Sequence, residues 1–304
     1  MVFAKAFSIF ILLSLGLAGN ALAQAAPGNN IDDRVRQQSR ILSEREREEA
    51  MMTGDTDILL TRRTKLFNLH GLFSADNTSN AFLTPFDART DVFGQAQIGL
   101  SFGTKIANKI DLFADLSANT VHYSNYAELD YSALTGVIGA RTNVGPVSLN
   151  ATYQPAVVFD REFRKRQLTS HRTRISAALP FNIKRLNIEP SISIERTLSN
   201  PTDYRAWSGG AGVTFSAPIS RKIPLFAFAS VNYEKRDFDS YFPDLVGVRR
   251  IDDNWSGNVG LVWQLRNGGE VRASYNYGRN SSTSDVNIYR AKTGTIGISA
   301  AFRF

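Results

Sequence analysis

Two groups of residues in this chain could do chemistry. The first is a series of charges placed at every second position of extended runs: Asp111 and Asp115, Arg172 and Arg174, Glu189 and Glu195, with Glu234, Arg272 and Arg303 further on. Residues two apart on a strand share a face. Each charged pair therefore lies on one side of its strand, while Ile110, Leu112 and Leu116, Ile175 and Ala177, or Ile188 and Ile192 take the other. On the wall of a water-filled passage such charges would select solutes. Paired across strands, they would instead fill a narrow interior, and Arg174 and Glu189 are expected to meet across a turn at 180–184. The second group is His122-Tyr123-Ser124-Asn125. A histidine and a serine two apart on a strand point the same way, so the imidazole could activate the hydroxyl. Ordinary polarity at a strand end is the alternative.

Other chemistries find little support. There is no cysteine, so a disulfide framework, a lipid-anchored cysteine and a thiolate metal site are excluded. His70 and His171 stand alone and read as structural. No glycine-rich phosphate loop, zinc spacing or pair of carboxylates with a general-acid pattern occurs, and the expectation is no cofactor and no metal. The formal charge of +7 is mildly basic, far from a nucleic-acid-binding stripe, and compatible with an anionic lipopolysaccharide surface.

The elements that must position these residues are strands. Val92, Gly94, Ala96, Ile98, Leu100 and Phe102 alternate with Gln95, Gln97, Gly99 and Ser101. The same period of two runs through 110–118, 147–154, 186–195, 225–233, 257–265, 271–277 and 294–304, with less regular runs near Leu66, Tyr131, Thr169 and Tyr204. These make about twelve strands. Short connections at 104–108, 143–145, 180–184, 217–223 and 266–269 alternate with mostly longer polar ones at 76–91, 123–128, 160–166, 200–203, 236–254 and 279–291. The segment 236–254 reads as a long loop mixing aromatics and both charge signs, folding inward, reaching a partner, or simply solvated.

Alternation alone does not say which face meets water. Three features favour an apolar face turned to lipid. The polar sets are rich in Ser, Asn, Thr, Gln and Gly rather than Lys and Glu. Aromatics stand at strand ends (Tyr153, Tyr233, Tyr275, Tyr277, Trp207, Trp255, Trp263), as interfacial girdles do. The chain also ends on an aromatic at the close of its last alternating run. In hydrocarbon every backbone polar group needs a partner, which a closed barrel supplies without an edge. Twelve strands and their connections take on the order of 240 residues, leaving no room for a second domain after Leu66.

The N-terminal region is of another kind. Lys5 precedes a short apolar core, residues 6–17, and Ala21-Leu22-Ala23 forms a small-x-small cleavage site. The apolar core is too short for a helical span. Residues 1–23 are therefore expected to be a signal peptide cleaved near Ala23-Gln24. Residues 24–63 form a periplasmic segment, helical or disordered over 31–52, and 64–304 the barrel. The fold class expected is all-β: a closed antiparallel up-and-down transmembrane β-barrel.

The final residues, Ile296-Gly-Ile298-Ser-Ala300-Ala-Phe302-Arg-Phe304, resemble the C-terminal signal of Gram-negative outer-membrane β-barrel proteins. That resemblance implies an outer-membrane location. It also implies that Ile296, Ile298, Ala300, Phe302 and Phe304 are read by the barrel-assembly machinery, and that the partners are outer-membrane lipids and lipopolysaccharide. It points to a porin-like channel for small polar solutes, with an export or assembly barrel contacting a periplasmic partner through 31–52 as the alternative. His122-x-Ser124-Asn125 is similar to the His-x-Ser-Asn element of outer-membrane phospholipases and lipid A deacylases. By that similarity His122 is the base, Ser124 the nucleophile and Asn125 an accessory residue. The position where those families carry an orienting residue is Gly136, while Glu128 and Asp130 lie at other spacings.

Overall fold

A computed structural model describes residues 67–86, 88–106, 109–220, 223–241, 249–265 and 269–303. The expected signal peptide (residues 1–23), the expected periplasmic segment 24–63 and Phe304 of the expected assembly signal lie outside them.

Thirteen strands form one sheet: β1 Phe67–Thr78, β2 Asp91–Ile106, β3 Ile110–Tyr123, β4 Tyr131–Val144, β5 Val147–Phe159, β6 Arg166–Ala178, β7 Phe181–Ile183, β8 Leu186–Asn200, β9 Ala206–Pro218, β10 Leu225–Tyr241, β11 Arg249–Gln264, β12 Gly269–Ser282 and β13 Tyr289–Arg303. Consecutive strands pair antiparallel, except that β6 pairs with β8 rather than with β7. The sheet closes where β1 meets β13, from Asn68 opposite Arg303 to Thr78 opposite Thr293. The short β7 continues the line of β6 past Leu179-Pro180 and pairs with the start of β8, so twelve strands make the barrel wall.

The alternation decides which side is which. On β3 the even-numbered residues, from Ile110 to His122, point outward and the odd-numbered ones inward; on β6 Ile175 is outward while Arg172 and Arg174 are inward. Ile98, Leu116, Ile138, Ile192, Val259, Ile296 and Phe302 are exposed on the outer face. An apolar exterior over a polar interior is the arrangement a hydrocarbon surround stabilises. Trp207, Trp255 and Tyr277 form an outward belt toward one end, with Tyr233 and Trp255 in ring contact at 4.9 Å, while Trp263 stands at the other end.

Two expectations are corrected. The segment 236–254 is not a long loop: β10 runs on to Tyr241 and β11 starts at Arg249, with Arg236 opposite Asp252 and Tyr233 opposite Trp255. The strand period continues through the charged residues, placing Arg236, Arg250 and Asp252 on the inner face, where they are buried. The β6–β8 connection also turns later than 180–184. Its turn is Lys184-Arg185, with Lys184 at φ +58°, and this brings Glu195 rather than Glu189 opposite Arg174. The β4–β5 turn is made by Gly145-Pro146, where Gly145 takes φ +58°.

Long inward side chains lie across glycines of the neighbouring strand. Phe113 crosses Gly139, and His70 crosses Gly99. Phe228 crosses Gly260, where an added Cβ would meet the Phe228 ring and the Ala273 carbonyl oxygen, both at 2.5 Å. Gly260→Ala is therefore expected to destabilise the barrel by about 1–3 kcal/mol. Gly103→Ala, where an added Cβ meets nothing within 4 Å, should change stability by less than about 0.5 kcal/mol. Urea unfolding from lipid vesicles compares the two.

Candidate functional site

The inner wall divides into two regions. From β10 through β12 it is packed. Arg250 holds Asp252 through Nε at 2.9 Å, both side chains being 2% exposed, and its guanidinium lies 4.2 Å from the Phe238 ring centroid. Arg236 contacts Glu234 at 3.3 Å. Arg272 stacks over Phe228 at 4.5 Å. Removing either partner of the buried Arg250–Asp252 pair would strand the other charge in a site of low polarity.

Across the barrel, β5, β6 and β8 present a wall of short polar side chains. Asn150, Thr152, Ser176, Ser191 and Ser193 face inward and keep accessible surface. Arg174 stands among them, opposite Glu195 and donating to Ser193 Oγ at 3.0 Å. Arg172 is buried. Glu189 lies further along β8, opposite Thr214 of β9. At the inner end of β3, Asp111 is 4.0 Å from Lys105 and opposite Arg141. Asp115 reaches His70 Nε2 at 2.7 Å over Gly99, so His70 belongs to the inner wall rather than standing alone. Arg303 is in register with Asn68 at the end of β13.

At the end of the barrel away from Phe67 and Arg303 the mouth is narrowed. Phe93, Val121, Tyr123, Tyr131, Ala133, Val158 and Leu168 turn inward from β2 to β6 and form a buried cluster with Ala81 of the first connection and Leu129 of the third. Phe82 and Tyr126 pack against it, and the Arg89 guanidinium lies 5.5 and 5.6 Å from their ring centroids. Asn80 anchors this first connection, donating to the carbonyls of Thr84 at 2.8 Å and Arg290 at 3.2 Å.

His122 sits at the same end but on the outer face. Its Nδ1 is 2.5 Å from Asp130 Oδ2, and the Asp130 side chain is 1% exposed. The other carboxylate oxygen accepts the Tyr123 N–H at 2.7 Å, and Arg161 approaches at 3.5 Å. Ser124 follows two residues on, its N–H donating to the Val92 carbonyl. Among the described residues no hydrogen bond joins its hydroxyl to His122. Asn125 is turned away, donating through Nδ2 to Asp91 at 2.7 Å. The structure thus gives His122 an orienting carboxylate at a spacing that the sequence motif does not contain, and separates Asn125 from it.

Several inner-wall residues escaped sequence reading: Asp76, Arg141, Arg236, Arg250, Asp252 and Glu270. Extending the even-numbered register of 225–233 and 257–265 outward would have found Arg236, Arg250 and Asp252. Past the aromatic belt, Asp239 and Arg196 pair on the outer face, with Arg196 Nη1 donating at 2.7 Å. This bond, aided by Arg249 and Arg205 nearby, holds the Asp239 carboxyl below the usual carboxylate range.

No family model and no curated protein matches the chain. Among solved structures it is similar to an outer membrane channel from Pseudomonas putida F1 at 10% identity, over 78% of this chain and 96% of that one, with a TM-score of 0.53. The β domain of the Bordetella autotransporter BrkA (14% identity, 78% and 100% covered, TM-score 0.47) and LpxR from Salmonella typhimurium (11%, 75% and 99%, TM-score 0.44) are more distant in shape. At such identities the likeness is one of architecture. The chain has the fold of the outer-membrane β-barrels of Gram-negative bacteria.

Proposed function

We propose that the barrel is a porin-like channel for small polar solutes. The observation that carries this reading is the accessible polar wall of Asn150, Thr152, Ser176, Ser191 and Ser193. Eight-stranded barrels are just filled by their own side chains, whereas sixteen strands leave a channel. With twelve, the choice of inward residues decides. Short hydroxyl and amide side chains on one wall leave room for water, while the opposite wall is packed by Arg250, Arg272, Phe228 and Phe238.

The charges on this path favour cations. Among the described residues away from the packed β10–β12 wall, inward carboxylates that keep accessible surface are Asp111, Asp115, Glu189 and Glu195, against Lys105, Arg141 and Arg174. Water-filled surroundings screen each charge over about 8–10 Å at physiological ionic strength, so a narrow lumen feels the net excess. Loop 79–90 and the aromatic cluster behind it narrow the entrance.

A second reading rests on the His122–Asp130 contact. The buried carboxylate orients the imidazole through Nδ1 and leaves Nε2 on the outward row that carries Ser124. Attack of Ser124 on an ester carbonyl would transfer its proton to Nε2, which would pass it to the departing alcohol as the ester C–O bond breaks. Water, activated by the same imidazole, would then release the acyl group as a fatty acid and restore Ser124. This reading needs the hydroxyl to turn toward the imidazole. For the export alternative, residues 31–52 lie outside the described part of the chain.

Planar-bilayer recordings of the purified chain should show stable conductance with potassium more permeant than chloride. Glu189→Gln with Glu195→Gln should lower that permeability ratio roughly twofold. No conductance above background would remove the channel reading. Ester hydrolysis on phospholipid or lipid A vesicles, abolished by Ser124→Ala, would instead establish the second reading; no hydrolysis by the native chain would end it. Independently of activity, Asp130→Ala leaves the buried Tyr123 N–H without its acceptor and should cost about 1–3 kcal/mol in vesicle unfolding.

A further inference from the structure

The outer face carries a feature that passage through the lumen does not use. A shallow groove of ≈ 690 Å³ crosses β10 to β2 on the lipid side, lined by outward residues including Ala75, Val92, Val259, Ala273, Tyr275 and Ile296. It follows two adjacent rows of the sheet. One runs Ala227, Leu261, Ala273, Ile296, Ala75; the next runs Val259, Tyr275, Gly294, Asn77, Val92. Small residues at Ala75, Ala273 and Gly294 beside the larger Ile296 and Tyr275 make the depression.

Directly above it, on the same two strands, stand three exposed cations. Lys292 is two residues beyond Gly294 on β13, opposite Tyr277, and Arg290 is two further, opposite Arg279 of β12. At about 3.4 Å per residue, Lys292 lies one sheet row from the groove and the arginine pair two. Among the described residues, no hydrogen bond or ion pair engages these three side chains. Elsewhere on the outer face the pattern differs. There the outward Arg196 is held by Asp239, and Arg249 Nε lies 2.8 Å from Asp237.

We propose that this face binds one lipid A molecule of the outer leaflet, with its phosphates on Arg279, Arg290 and Lys292 and an acyl chain in the groove. The groove faces hydrocarbon, so an acyl chain completes it without removing polar groups from water. The cations lie at the outer end, where strand tops and the Trp255–Tyr277 belt mark the headgroup level. Unopposed guanidinium groups match phosphate oxygens in geometry and charge. A second copy docked by two-fold symmetry across this same face would set a second Arg–Arg–Lys cluster against the first, and like charges do not neutralise one another. The inference rests on the barrel's place in the outer membrane and is independent of the channel reading.

The test uses the full chain in neutral-detergent micelles, with diphosphoryl lipid A as the probe and native mass spectrometry as the readout. Native protein should bind one lipid A, and phosphatidylglycerol at least about tenfold more weakly. Arg279→Gln/Arg290→Gln/Lys292→Gln should weaken lipid A binding about tenfold or more, and Gly294→Leu, which fills the groove, should weaken it with the cations intact. Retained heat-modifiable migration of each variant on gels verifies the folded barrel. Unchanged binding in the triple variant, loss in the triple variant with none in Gly294→Leu, or equal competition by inorganic phosphate would each overturn the proposal. So would a dimer that Gly294→Leu dissociates without affecting lipid A.

Discussion

The structure depends on one constraint: in hydrocarbon no backbone N–H or C=O can go unpaired. The β1–β13 seam meets it, closing the sheet from Asn68 opposite Arg303 to Thr78 opposite Thr293, so that no strand edge is left to the lipid. Closure then dictates the rest. With one face turned to lipid and the other enclosed, the period-two pattern becomes a partition of chemistry. Ile98, Leu116 and Ile192 go outward, and Asp115, Arg174 and Glu195 go inward. A slip of one residue in any strand would exchange these sets, so the hydrophobic pattern also holds the register.

Within the enclosed space, volume is the limiting quantity. The glycines at 99, 139 and 260 allow His70, Phe113 and Phe228 to lie flat across neighbouring strands. On the β10–β12 side, such side chains and the stacked arginines fill the interior. On the β5–β8 side, serines and threonines leave it open. The asymmetry is written in side-chain size, and it confines any water path to one wall.

How much of this was legible in the sequence follows from range. Periodicity is local, so strand number, facing and the outward aromatics could be read from runs such as 92–102 and 110–118. Register depends on where a turn falls. Pro180 suggested a turn that the chain delays to Lys184-Arg185, and the pairing of Arg174 moved from Glu189 to Glu195. The charged stretch 236–254 read as a loop because its inward residues include Arg236, Arg250 and Asp252, although the same charges are what an enclosed polar wall accommodates. The contact of His122 with Asp130 spans a tight connection whose geometry no spacing rule captures. The groove beneath Arg279, Arg290 and Lys292 forms only when strands from both ends of the chain are side by side.

The central claim is that the wall carrying Ser191 and Thr152 borders water inside a barrel whose opposite face borders lipid. The chain contains no cysteine, so single cysteines report cleanly on this. Membrane-embedded protein carrying Ser191→Cys, Thr152→Cys or Ile192→Cys would be exposed to a charged, membrane-impermeant thiol reagent. The account predicts rapid modification at 191 and 152 and protection at 192. Protection at 191 and 152, or rapid modification at 192, would contradict it.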